Sequence, residues 1–107
     1  MGNQAHTQRS IERLLLTSDK AVERAIVALY RRQEEDERAS EHTTHRNGRG
    51  FSVAHAKVAS YCARWILSGK RLSGHWLRDC RVIALYYSRQ LSEIAKIRQA
   101  HRAANAA

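Results

Sequence analysis

The chain has 107 residues, enough for one domain with a real core but not for two. A hydrophobic content of 43% with four Tyr, two Trp and one Phe excludes a disordered chain, although 27% of residues are charged. The formal net charge of +9 exceeds what solubility requires, and it directs attention to polyanionic partners.

Met1 to Ser10 are polar and offer no apolar stretch for a signal peptide. No run is long enough to span a bilayer, so a cytoplasmic protein without a membrane partner is expected. The two cysteines, Cys62 and Cys80, lie on apolar helix faces and read as buried, reduced packing residues rather than a disulfide.

The absence of proline and the abundance of Ala, Leu, Arg and Glu predict an all-α fold: a three-helix, bundle-like single domain with a long third helix and no sheet. Residues 1–16 read as a flexible N-terminal arm with a short apolar patch at Ile11 and Leu14-Leu15-Leu16. The helical domain spans 17–99. Thr17 or Ser18 caps its first helix, Asp19 complements the dipole, and Val22, Ala25, Ile26, Leu29 and Gln33 recur at helical spacing to about residue 40. This helix ends in the acidic run Glu34-Glu35-Asp36-Glu37, whose carboxylates pair with Arg31, Arg32 and Arg38 or offset the basic segment that follows.

Residues 41–51 read as a loop. Asn47-Gly48 resembles a hairpin turn, but nothing beside it alternates with period two. Ser52 caps the second helix, with Phe51 as a hydrophobic staple and a buried stripe at Ala54, Val58, Tyr61, Cys62, Trp65 and Ile66. Gly69 ends it as a C′ residue. Ser73 then caps a long third helix whose seam runs Leu77, Cys80, Ala84, Tyr87, Leu91, Ile94, Arg98, widened by Trp76 and Ile83. Residues 100–107 are expected to fray.

Between His42 and Arg78 the chain has no acidic residue, yet it carries Arg46, Arg49, Lys57, Arg64, Lys70, Arg71 and Arg78. The backbone amides of Asn47, Gly48, Arg49 and Gly50, together with Arg46 and Arg49, would form an anion-binding nest beside the N-terminus of the second helix. The same glycines equally serve a simple turn between helices. The spacing is not that of a P-loop. On the third helix Arg78, Arg81, Arg89 and Lys96 share about one third of the circumference. They form either a strip along a phosphate backbone or a solvated outer face. Tyr30, Phe51 and Tyr86 lie near the core boundary and are candidates for stacking on unpaired bases. Tyr61, Trp65 and Tyr87 fit core stripes.

The Gly69–Ser73 turn has the outline of a helix-turn-helix, but a recognition helix that opens on buried Trp76 and Leu77 argues against groove reading. His42, His45, Cys62 and Cys80 lack zinc-ligand spacing, so no metal is expected. No base and orienting group can be placed beside either cysteine, and the consecutive carboxylates do not converge. The sequence therefore points to a non-enzymatic protein without a cofactor.

The run Ala25-Ile26-Val27-Ala28-Leu29-Tyr30-Arg31-Arg32-Gln33, then Asp36 and Asn47-Gly48-Arg49-Gly50-Phe51, resembles a short helical module of phage and plasmid proteins. That module occurs alone or appended to helicase-like chains. Leu72-Ser73 and Tyr87-Ser88-Arg89-Gln90-Leu91 extend the resemblance over about residues 16–95. The chain departs from the module at Arg49, where a small or apolar residue is usual, and at His55, where an acid is usual. Both changes make the segment more basic. The resemblance implies a mobile-element origin, a host-cell cytoplasmic location and work beside nucleic acid, not a reaction.

Three functions follow as expectations. The first is largely non-specific nucleic-acid binding through the 42–78 surface, with Arg81 and Arg89 adding to Arg78 in a secondary strip. The second is a protein–protein inhibitor of a host defence complex, of anti-CRISPR type, that presents the same cations to an acidic host protein or a nucleoprotein complex. The third is a homodimeric helical scaffold using the third-helix seam across subunits. The chain is otherwise expected to be a monomer.

Overall fold

A computed structural model of the chain describes residues 7–39 and 51–106. Among these it forms five α-helices and no strand: α1 (Gln8–Thr17), α2 (Asp19–Ala39), α3 (Val53–Leu67), α4 (Gly74–Tyr86) and α5 (Ser88–Ala106). None of them is long and apolar enough to cross a membrane.

The segment read as an arm is helical from Gln8. Thr7 caps it by accepting a hydrogen bond from the Ser10 amide at 3.1 Å, and Leu15 is buried in the core with Ile11 packed against it. Short helices are marginal alone, so it is this packing that holds α1. Ser18 then serves two helices. Its N–H donates to Leu14 O at 2.9 Å, closing α1, and its Oγ accepts from the Ala21 amide at 3.1 Å, opening α2.

Helix α2 packs against all four other helices. Its predicted stripe holds: Val22, Ala25, Ile26 and Leu29 are buried. Two polar residues on the same helix anchor distant chain. Gln33 Oε1 accepts from the Phe51 amide at 3.1 Å, and Glu23, itself buried, accepts from the Leu72 amide at 2.7 Å and from Arg71 Nε at 3.1 Å. Burial of that carboxylate is tolerable because its oxygens are occupied.

On α3 the predicted stripe holds at Cys62 and Ile66 and fails at the other four positions. Ala59, Cys62 and Ala63 face the core, with Ala56 and Ile66 half-buried behind them. Ala54, Val58, Tyr61 and Trp65 are exposed. Small side chains let α3 sit close against its neighbours, so the bulky residues that dominate a hydrophobicity pattern turn outward. Gly69, at φ +95°, ends α3 as expected, with Gly69 N–H to Ile66 O at 2.9 Å and Lys70 N–H to Trp65 O at 3.4 Å.

The predicted long third helix is two helices. It breaks at Tyr87 (φ −103°, ψ 22°), whose hydroxyl accepts from the Ser52 amide at 2.8 Å and lies 2.7 Å from His55 Nδ1. Next to it, buried Ser88 hydrogen-bonds Gln8 Nε2 at 3.1 Å and Glu12 Oε2 at 3.0 Å. The seam residues Cys80, Ala84, Tyr87 and Leu91 are buried within the chain, so they are not free to form a subunit interface. Helix α5 continues through Ala106, past the point where fraying was expected.

Candidate functional site

Helix α3 displays Lys57, Tyr61, Arg64 and Trp65 at spacings of four, seven and eight residues, which places them on one outward face. The turn that follows adds Lys70 and Arg71, and the start of α4 adds His75, Trp76 and Arg78. The rings of Tyr61 and Trp76 are 5.4 Å apart between centroids and inclined by 31°; His75 lies 4.8 Å from Trp76 at 35°. Tyr61 is 50% exposed, Trp65 38% and Trp76 39%. Exposed aromatics of this size in one cluster are unusual for a surface with no partner.

The cluster is held rigidly. Trp65 Nε1 donates to Arg71 O at 3.0 Å, and Lys70 Nζ stands 4.2 Å from the centre of the Trp65 ring. Glu23 fixes the Arg71–Leu72 backbone from below. The cleft framed by Tyr61, Trp65, Leu72 and Trp76 is about 70 Å³, well under the ~300–1,000 Å³ of small-molecule pockets. A planar ligand would lie on these rings rather than enter between them.

Around the rings the charge is mostly positive, with Asp79 as an exposed carboxylate on α4. Among the described residues Lys57 and Arg64 have no ion-pair partner, and Arg78 touches only Asp79, loosely, at 3.9 Å. Arg71 shares its Nε with Glu23, but its side chain is 71% exposed. Lys57 and Arg64 share the α3 face that carries Tyr61 and Trp65, and Lys70 and Arg71 stand beside Trp65, whereas Arg78 lies about 200° round α4 from Trp76.

No protein-family model matches the chain, and no curated protein or solved structure matches it. The site is read from its own chemistry.

The other sequence candidates divide. Arg46, Asn47, Gly48, Arg49 and Gly50 lie outside the described residues. Arg81 is a structural residue: its Nε donates to Leu15 O at 2.8 Å, and its guanidinium pairs with Asp19, which closes the C-terminal end of α1. Arg89 is exposed but sits on α5, beyond the break, so the strip Arg78–Arg81–Arg89–Lys96 does not follow one helix axis. Phe51 is buried edge-on to Tyr87 at 5.7 Å and is a core staple, not a stacking platform. Tyr30 is half-buried against the core. Tyr86 is 73% exposed and meets His55 edge-on at 5.1 Å.

Sequence reasoning missed Tyr61, Trp65 and Trp76 as surface residues. For Tyr61 and Trp65 the signal was present: cations at 57 and 64 share their face of α3, while Ala59 and Ala63 supply an alternative inward stripe. Ser52 Oγ lies 3.4 Å from His55 Nδ1, but that nitrogen is engaged by Tyr87 at 2.7 Å, so the trio braces the start of α3. Cys62 and Cys80 are buried and free; burial pushes both thiols up, away from the reactive thiolate.

Proposed function

We propose that the chain binds nucleic acid largely without sequence preference, using the α3–α4 face. Tyr61, Trp65 and Trp76 stack on unpaired bases, and Lys57, Arg64, Lys70, Arg71 and Arg78 contact the phosphates. The carrying observation is the exposed Tyr61–Trp76 pair beside Trp65, with Lys70 over the Trp65 ring and Lys57 and Arg64 on the same face of α3. Stacking tolerates any base, and a cationic rim tracks any backbone. Single strands are favoured over duplex, because paired bases keep their faces covered. The basic segment at Arg46 and Arg49 adjoins the start of α3 in the chain and extends the same charge.

The test is an anisotropy titration with single- and double-stranded DNA and RNA across a salt series. Binding of single strands, with a steep salt slope and quenching of tryptophan fluorescence, supports the reading. No measurable binding near about 50 mM salt removes it.

A second reading, an inhibitor that docks on an acidic protein or a nucleoprotein complex of a host defence system, draws on the same composition. Trp, Tyr and Arg dominate protein hot spots as well. A partner retained from host lysate after nuclease treatment would favour it.

A further inference from the structure

Helices α1, α2 and α5 enclose a second feature, a groove of about 450 Å³ that shares no residue with the α3–α4 face. Its apolar lining includes Ile11, Leu14 and Leu15 from α1, Ala25 from α2, and Leu91 and Ile94 from α5. Leu14 is 51% exposed although it belongs to this lining. Four cations complete the walls: Lys20 and Arg24 on α2, Arg98 and Arg102 on α5. Among the described residues no carboxylate lines the groove.

The arrangement is one the seam of α5 explains. Leu91 and Ile94 face inward, and the same stripe continues to Arg98 and Arg102 once the chain passes the core. At its other end α5 is tied to α2 by Arg32, which donates to Gln90 O at 3.3 Å and approaches Glu93 at 3.6 Å. From that tie the two helices form opposite walls with α1 between them.

We infer that this groove seats an amphipathic helix of a partner protein, with an apolar stripe flanked by carboxylates. Three observations select that occupant. The lining from Leu91 to Arg102 extends roughly 16 Å at ~1.5 Å per residue, about three helical turns. A cleft between helices with an apolar floor is the shape that receives an amphipathic helix. Cations on both walls complement acidic flanks and repel a second copy of this chain, which would bring four more cations to the same place. Nucleic acid fits less well: the four cations can meet phosphates, but among the described residues no aromatic side chain lines the groove to stack on bases, and its aliphatic floor is left uncovered by a backbone.

The probe is a synthetic helical peptide of about five turns with a leucine stripe between two rows of glutamate, compared with a scrambled peptide of identical composition. The expected result is binding of the ordered peptide at least about tenfold tighter than the scrambled one, with amide chemical-shift changes in α1, α2 and α5. Leu14→Glu and the double variant Arg98→Glu/Arg102→Glu each lose at least about tenfold; all three positions are exposed, so both proteins should fold, and circular dichroism checks this. Equal binding of the scrambled peptide overturns the inference. So do shifts confined to α3 and α4, binding to phosphatidylglycerol vesicles but not to the peptide, or a dimer that Leu14→Glu abolishes. Oligonucleotide binding by Leu14→Glu stays near the wild-type level, which separates this test from that of the α3–α4 face.

Discussion

Glu23→Ala isolates what holds the α3–α4 turn in place. The carboxylate is 6% exposed, accepts the buried Leu72 amide at 2.7 Å and meets Arg71 Nε at 3.1 and 3.3 Å. Removing it leaves the Leu72 N–H without a partner, at a cost of about 1–3 kcal/mol. The Arg71 contact adds little, about 0–1 kcal/mol, because that side chain is 71% exposed and screened by water. The total is about 1–4 kcal/mol, equivalent to a melting temperature lowered by roughly 4–18 °C for a domain of this size. Urea unfolding followed by circular dichroism measures it. Glu23→Gln keeps an acceptor for the Leu72 amide and should lose no more than about 1 kcal/mol. If Glu23→Ala unfolds within about 0.5 kcal/mol of wild type, the buried carboxylate does not anchor the turn, and the rigidity assigned to the aromatic cluster fails with it.

Trp76→Ala should weaken single-strand binding by about 1–3 kcal/mol and, because the ring is only 39% exposed, also lower the urea midpoint, so binding is measured well below it; Lys57→Ala should lower the salt slope by about 0.7. Both are read from the same anisotropy series. Arg81→Ala and Arg78→Ala should behave oppositely. The first loses about 1 kcal/mol of stability by freeing Leu15 O and Asp19, and the second loses affinity alone. Tyr87→Phe should cost about 1 kcal/mol through the lost Ser52 amide and His55 contacts, seen in the melting temperature. Burial raises the Cys80 thiol above its ordinary value of 9.0, so from about pH 9 upward unfolding releases a proton that the folded protein retains. Stability should fall with rising pH there, and the fall should be shallower in Cys80→Ala than in wild type.

The helical class, the α2 stripe, the caps at Ser18, Ser52 and Ser73 and the stop at Gly69 were legible because each is a local signal. Helix α1 was not, since ten residues are marginal as a helix alone and this one is held by contacts remote in sequence: Leu15 in the core, Ser88 on Gln8 and Glu12, and Arg81 on Leu15 O. The break at Tyr87 carries no proline or glycine. It is fixed by the hydroxyl contacts to Ser52 and His55, 35 and 32 residues away, which no periodicity encodes. The candidate face was half legible. Its cations are visible in the sequence as a stretch without acidic residues, but Tyr61, Trp65 and Trp76 were assigned to core stripes by their helical phase. Arg81 was misread for the complementary reason, because its partners Leu15 and Asp19 are remote in sequence.

The alanine-sized inner face of α3 has a consequence for how this surface can change. With Ala59, Cys62 and Ala63 filling the interior side, folding makes little demand on what stands at 57, 58, 61 or 64. Those positions can diverge, exchanging one target for another, while the scaffold keeps its melting point. A library randomised there should yield mostly folded members, whereas the same library at 59, 62 and 63 should not.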